Sequence, residues 1–271
     1  GIGTEEYIEL AHPLAKDRPF IRRGLIPNML VGVESNLHRF ESVRLFETGR
    51  GYKKEQQGEL AHPDGDAYLP GQDEYLGMVY SQKGVDTPFF ELSDSLRFVA
   101  DRLGLSVSFE SVQDGKEYLH GGRHADVFFN DVLVGFVAEL HPVTQKAVGI
   151  PYRTAVLEIN LSVFAPFVKD RIAYTSLPAY PSVDRDIAFV VDASVQDANI
   201  RKVILHVDKK IVAVDLFDVY AGEHVEAGKK SVAYHLTYRS ETQTLTSEEV
   251  EVAHAKVVAV LGKKFGAEIR K

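Results

Sequence analysis

An α+β protein in two domains is the architecture this sequence predicts, on three observations. The chain has 271 residues, more than one ordinary domain needs to bury a core. Its first part mixes apolar positions of period 2 and period 3.6 in irregular order. Its last hundred residues run through a compact β-α-β-β-α-β succession, the split βαβ arrangement.

In the first part, "RRGLIPNMLVGVESNLHRF" carries helical spacing after Pro27, and "SVRLFETGRGY" reads as a strand. The segment "EQQGELAHPDGDAYLPGQD" is polar and turn-rich, and "EYLGMVYS" is again a strand. In "FFELSDSLRFVADRLGL", Leu92, Leu96, Val99 and Leu103 form one apolar stripe of a helix. The strands "HADVFFN" and "LVGFVAEL" flank Asn130 and Asp131, a two-residue hairpin turn by composition. Between Glu158 and Ser182, Pro166, Pro178 and Pro181 suppress regular structure and predict an extended connection. The domains are therefore expected at 1–174 and 175–271, with the boundary near Tyr174.

In the second part, "RDIAFVV" alternates Ile187, Phe189 and Val191 as a strand. "VQDANIRKVILHV" places Ile200, Val203, Ile204 and Val207 at helical spacing. "KIVAVDLFDVY" and "KSVAYHLTYRS" are strands joined through Gly222 to Gly228. "TSEEVEVAHAKVVAVLGKKFG" is a helix whose cap is Thr246 or Ser247, with Glu248 and Glu249 in its first turn. "AEIR" is a last short strand. With both helices on one side of such a sheet, Val232, Tyr234, Leu236 and Tyr238 should meet the helices. Ser231, Ala233, His235, Thr237 and Arg239 then face the open side.

Composition narrows the function classes. A chain 45% hydrophobic and 26% charged is average for soluble globular proteins, and its apolar runs end well short of the roughly 20 residues of a membrane helix. Without cysteine there is no disulfide framework, thiolate metal site or cysteine nucleophile. No apolar signal segment opens the chain, so cytoplasm is the expected compartment and no membrane partner is expected. The net charge of −8 opposes indiscriminate attraction to phosphate. Residues 175–271 carry 13 Lys plus Arg against 14 Asp plus Glu, whereas the first 174 carry 18 against 25. Electrostatics thus directs any nucleic acid to the second part. There is no Walker loop, dinucleotide fingerprint or HExxH motif. "HGGRH" sets His120 and His124 four apart, but its two glycines argue for a loop rather than a helical metal site. Neither a catalytic nor a metal site is expected.

"YPSVDRDIAFVVD", "VDLFDVYAG", "GKKSVAYHLTYRS" and "TLTSEEV" together resemble the C-terminal ferredoxin-fold anticodon-binding domain of the bacterial phenylalanyl-tRNA synthetase beta subunit, over about Thr175 to Lys271. "HPLAKDRPFIRRGLIPNML", "VRLFETGRGY", "YLHGGRHADV" and "VGFVAELHP" resemble the same subunit's catalytic-like module. The resemblance implies a class II synthetase-like antiparallel-sheet module followed by a ferredoxin-like βαββαβ domain. It also implies that the chain is a C-terminal fragment of a longer subunit, without the editing and other N-terminal modules and without the helix and strand that normally precede "HPLAKDRPF".

A class II active site sets an arginine against the ATP phosphates and a second one further along. After "GRGY" this chain has Lys53, and "GFVAELHP" carries no arginine. The resemblance therefore implies an inactive module that scaffolds the catalytic alpha subunit in an α2β2 assembly. No cofactor is expected in this chain, and ATP and magnesium are expected only at the alpha subunit. The "HGGRH" turn is similar to the family's His-Pro-Gly segment, with Gly121 in place of the proline.

For the second domain the resemblance implies binding of the tRNA(Phe) anticodon region, with Tyr220 stacking on a base, Ser231 hydrogen-bonding near it and Ala233 keeping the surface low. Stacking on aromatic side chains is how unpaired RNA is usually held, at roughly 1–3 kcal/mol per base. The alternative for Tyr220 is packing at a strand end. Arg185, His235 and Arg239 complete the candidate RNA-binding set, although Arg185, between Asp184 and Asp186, is expected to be fixed by a carboxylate. Gln243 stands where the family commonly has arginine. Two other readings remain open at this point: a small-molecule-binding regulatory module, since such sheets also bind amino acids, and a residual enzyme with its own adenylate site.

Overall fold

The computed structural model describes residues 4–112, 115–168, 177–223 and 225–270. The chain divides into two compact units, Gly1–Ile172 and Ala173–Lys271. The position near Tyr174 proposed as the boundary lies outside the described residues.

The first unit opens with the short antiparallel pair β1 (Ile8–Glu9) and β2 (Phe20–Ile21). The helix α1 (Ile26–Leu37) begins with Pro27, which a first turn tolerates because its N–H would be unbonded anyway, and it buries Ile26, Met29, Leu30 and Val33. Then follow β3 (Ser42–Leu60), β4 (Tyr68–Gln82), α2 (Pro88–Arg102), β5 (Val107–Ser111), β6 (Leu119–Phe129), β7 (Val132–Leu140), α3 (Pro142–Ala147), β8 (Thr154–Asn160) and α4 (Leu161–Phe164). The strands β3 to β8 form one antiparallel sheet in the order β3-β4-β8-β7-β6-β5. Alternation divides its side chains between two cores. Val79, Phe136 and Val156 pack with Leu25, Met29 and Val33 on the α1 side. Tyr80, Val137 and Leu157 pack with Leu92, Leu96 and Ala100 on the α2 side.

Several local expectations hold here and others need correction. Asn130 and Asp131 have φ of 47° and 65°, as a two-residue hairpin turn with both central residues left-handed requires. The polar segment after Tyr52, in contrast, is largely strand. β3 and β4 continue past Lys53 as a paired ribbon, with register irregularities between Lys53 and Leu60. Its side chains are exposed on both faces, so no alternation marks it in the sequence. "HGGRH" lies within β6, but four residues, His120 to Arg123, stand between the pairs Leu119↔Leu140 and His124↔Ala138, leaving a pronounced bulge. Gly122 N–H donates to His120 Nδ1 at 3.1 Å and fixes that bend. Pro166 sits not in an extended connection but in a single 3-10 turn, Ala165–Phe167, again at the start, where proline is tolerated.

The start of α1 has no cap of its own. Glu158 of β8 supplies one from a distance, its Oε2 accepting from Leu25 N at 2.6 Å and Ile26 N at 3.4 Å. A Cβ at Gly24 would stand 2.6 Å from that oxygen, so the close approach of strand carboxylate to helix start depends on a glycine there.

The second unit follows the succession read from the sequence: β9 (Val183–Asp192), α5 (Asp197–Leu205), β10 (Ile211–Tyr220), β11 (Lys229–Tyr238), α6 (Ser247–Phe265) and β12 (Glu268–Ile269). Its antiparallel sheet has the order β10-β11-β9-β12, the ferredoxin-like arrangement. Ile187, Phe189, Val191, Val232, Tyr234, Leu236 and Tyr238 share one core with Ile200 and Ile204 of α5 and Val250, Val257 and Leu261 of α6. α6 starts with a capping box between Thr246 and Glu249 and ends at Gly266, whose φ of 61° gives the left-handed cap. Among the described residues no helix is long and apolar enough to cross a membrane.

Two buried tyrosines reach polar partners on the helices. Tyr234 donates to Asp197 Oδ1 at 2.8 Å, and Tyr238 O–H lies 3.0 Å from His254 Nδ1. Burial pushes the Tyr238 hydroxyl up to about 12 and holds the His254 imidazole below its usual range, an effect to which nearby Arg185 adds. A histidine whose folded-state affinity for protons is depressed contributes full stability above its unfolded value of about 6.5 and loses it as pH falls, because the unfolded chain takes up the proton first. The urea midpoint of this unit is therefore expected to fall between pH 7.5 and 5.5, and His254→Gln, which keeps a polar partner for Tyr238, is expected to flatten that fall.

Candidate nucleic-acid interface

The uncovered face of the second unit follows from an uninterrupted ladder. Ten consecutive pairs join Lys229–Tyr238 to Asp192–Val183, and opposed residues share a face. Ser231, Ala233, His235 and Thr237 therefore lie beside Val190, Ala188, Asp186 and Asp184 of β9. On the other flank the register brings Tyr220 opposite Ser231, Asp218 opposite Ala233 and Asp215 opposite His235. Of the sequence-derived candidates, Tyr220, Ser231, Ala233 and His235 thus meet on one surface.

Arg185 does not join them, which corrects its place in the set. It opposes Leu236 and shares the helix-covered side with Ile187 and Phe189. Its guanidinium stands 3.6 Å from Glu251 of α6 and donates to the Asp184 carbonyl at 3.1 Å. A carboxylate does fix it, but from the helix rather than from Asp184 or Asp186. Arg239 comes just after β11, its amide donating to Lys210 O at 2.8 Å.

The individual positions differ from one another. Tyr220 is 43% exposed, with its hydroxyl donating to Glu223 O at 2.9 Å and its ring against Gly222, where a Cβ would stand 2.8 Å from the hydroxyl oxygen. The ring is thus held at its far end while part of its surface stays open. Ser231 is buried, and its Oγ accepts from Arg270 Nη1 at 3.2 Å. Arg270 is itself anchored through its amide to Ala188 O at 2.9 Å. Ala233 is also buried, so the middle of the face is low.

His235 forms the centre of a group that sequence reading did not assemble. Its Nδ1 bonds Asp186 Oδ1, and Phe217 stacks on its ring with centroids 4.0 Å apart and planes 16° from parallel. Phe217 is the extra residue of a bulge between Leu216 and Asp218 and is 51% exposed. Regular alternation after Leu216 sends Phe217 to the open side and Asp218 back to the helices, but the bulge puts Asp218 opposite Ala233 on the open side as well, which period-2 reading cannot anticipate. Four aspartates, Asp184, Asp186, Asp215 and Asp218, share this surface with the aromatic rings. The aspartates repel phosphate and favour groups that stack and donate, flat rings bearing amino or imino N–H, while Arg270 at Ser231 sets one cation beside them.

In the first unit, Lys53, at the position where an active class II site would set arginine, donates to Asp73 Oδ2 at 3.1 Å, and the Tyr75 hydroxyl donates to the same oxygen at 3.2 Å. Burial works against the Lys53 charge, but Tyr75 and Asp73 outweigh it and raise its proton affinity. The ammonium is committed to an internal partner. His124 is buried edge-on to Phe136 with centroids 5.8 Å apart, while His120 serves the Gly122 amide, so the two histidines have separate surroundings.

Two family profiles match the chain: "Phenylalanyl tRNA synthetase beta chain CLM domain" over residues 3–161 and "Ferredoxin-fold anticodon binding domain" over residues 178–270. The phenylalanine-tRNA ligase beta subunit of Bacillus subtilis (strain 168) is 36% identical over 265 residues, covering 96% of this chain and 33% of that protein. That of Geobacillus kaustophilus (strain HTA426) is 35% identical over 271 residues, with 98% and 33% covered. The chain thus spans about a third of the length of these curated relatives. A solved pyrrolysyl-tRNA synthetase from Desulfitobacterium hafniense is 17% identical, with a TM-score of 0.44 over 63% of this chain and 59% of that one, a likeness too distant to argue from.

The two faces of the sheet should respond differently to substitution. Phe217→Ser is expected to change unfolding stability by less than about 0.5 kcal/mol, since its ring lies on the surface. Tyr234→Phe, which removes the hydroxyl donor from Asp197 Oδ1 while Arg201 Nε still donates to Oδ2 at 2.7 Å, is expected to cost about 1 kcal/mol. Urea unfolding of both variants measures the contrast.

Proposed function

The chain belongs to the phenylalanyl-tRNA synthetase beta-chain family, and from that premise we propose that its second unit holds the anticodon region of tRNA(Phe) while its first unit scaffolds the catalytic alpha subunit for Phe-tRNA synthesis. The observation that carries the RNA half is the open sheet face, where Tyr220 and the Phe217–His235 stack border a low centre formed by Ser231 and Ala233. Unpaired bases can stack on the rings, and the aspartates can accept from their amino groups. Because the same aspartates repel phosphate, recognition on this reading rests on bases, with the RNA backbone directed away from the sheet.

Support for the scaffold half comes from the six-stranded module and from the internal commitment of Lys53 to Asp73. The first unit performs no covalent step on this reading. ATP and magnesium act at the alpha subunit within an α2β2 assembly, and the compartment is the cytoplasm. A second reading, a small-molecule regulatory module, draws on the open groove between α5 and α6, floored by Val203, Val207, Val260 and Phe265 and rimmed by Lys202, Lys256 and Lys264. A melting shift on adding phenylalanine would favour it.

Filter binding of a tRNA(Phe) anticodon stem-loop at low salt tests the leading reading. Tyr220→Ala is expected to weaken binding about 5- to 150-fold, the equivalent of one stacked base. The dependence of affinity on salt is expected to be shallow, since few phosphates are neutralised. An unchanged affinity in Tyr220→Ala would remove Tyr220 as the platform, and a steep salt slope would overturn base-centred recognition.

A further inference from the structure

At the end of the first unit's sheet, two guanidiniums converge on one buried carboxylate. Glu139, near the end of β7, is 2% exposed. Its Oε2 accepts from Arg123 Nε at 2.7 Å, from Arg153 Nε at 3.1 Å and from Arg153 Nη2 at 2.8 Å. Its Oε1 is buried with no partner among the described residues. One negative charge thus stands against two positive ones, and the arginine side chains remain 38% and 34% exposed.

The local fold accounts for this convergence. Glu139 opposes Ala155 in the β7–β8 ladder, which puts it on the α2 side of the sheet, and Arg153 comes two residues before Ala155 on the same side. Arg123 arrives from the bulge of β6, where His120 to Arg123 face Glu139 alone. A bulge redirects side chains in this way. Beyond the bend the surface is open, since a Cβ on Gly121 would meet nothing within 4 Å. Burial, and after it Arg123, hold the His120 imidazole below its usual range, so it adds no negative charge beside the two guanidiniums.

Arginine has five N–H donors in a planar fork. Arg123 gives Nε to Glu139, and Arg153 gives Nε and Nη2, so Nη atoms of both arginines are left unused by the anchor they share. Two like charges held together with half of their countercharge missing are completed by an anion, and two forks match the several oxygens of a phosphate better than a point charge would. This surface lies on the opposite side of the sheet from Glu158 and Lys53's partner Tyr75.

We propose that Arg123 and Arg153, aligned by Glu139, form a binding site for a phosphate-class oxyanion, carried either by free phosphate or by an RNA phosphodiester. Titrating inorganic phosphate into the full chain at constant ionic strength tests it, read from the arginine Nε–H resonances by NMR and assigned with Arg123→Lys and Arg153→Lys. The expected result is that the Arg123 and Arg153 signals shift together and saturate, while Arg97, on α2, does not respond. Arg123→Gln, which leaves Glu139 one guanidinium, is expected to weaken the binding about 10-fold or more. Should that variant fail to fold, the resonances of the unmodified chain still decide the matter. An eight-nucleotide single-stranded RNA that displaces phosphate identifies the phosphodiester as the source; one that does not identifies free phosphate. The proposal is overturned if neither signal moves, if Arg123→Gln binds phosphate as the unmodified chain does, or if acetate binds equally well, which would assign the site to a protein carboxylate.

Discussion

The register of β11 between β9 and β10 is the constraint on which the second unit depends. A slip of one residue would carry Tyr234, Leu236 and Tyr238 out of the core and bring Ser231, Ala233 and His235 into it. Three large side chains that are fully buried in the observed register would then lie in water. At about 1.5–3 kcal/mol for each large apolar side chain, that cost fixes the register, and the register alone determines what the uncovered face presents. The hydrogen bonds of Tyr234 to Asp197 and Tyr238 to His254 add direction to the packing, because only one register brings both hydroxyls to partners on the helices.

Much of this was legible in the chain because core positions and element periods coincide. Val232, Tyr234, Leu236 and Tyr238 alternate without interruption, and Thr246 with Glu249 spells a helix start, so the second unit could be ordered strand by strand. The first unit was harder to read for physical reasons. The β3–β4 ribbon is solvated on both sides and leaves no apolar alternation, while β8 is covered on both sides and reads as "TAVLEIN", a run interrupted by Glu158 rather than alternating. Neither has the half-buried pattern that identifies a strand.

The binding surface was legible only in part. Alternation placed Ser231, Ala233 and His235, and Tyr220 follows from pairing opposite Ser231. The place of Asp218 was hidden by a bulge, Arg270 by a two-residue strand whose partner cannot be inferred locally, and the acidic character of the face by the fact that its aspartates come from two strands separated by a helix. Arg185 shows the converse. Its flanking acids suggested a local ion pair, yet they point to the other side of the sheet, and a helix 66 residues later provides Glu251 instead.

Glu249 has both carboxylate oxygens in use. One accepts from the Thr246 amide at 3.0 Å and closes the box at the start of α6, and the other accepts from the Gln243 side chain at 2.9 Å. The path from β11 into α6 is therefore shaped by the helix it leads to as well as by its own turn, where the Thr242 amide donates to Ser240 Oγ at 3.2 Å. An uncharged amide at 243 ties the loop to the helix start without adding a cation, so this corner of the domain offers an approaching anion no positive charge from residue 243.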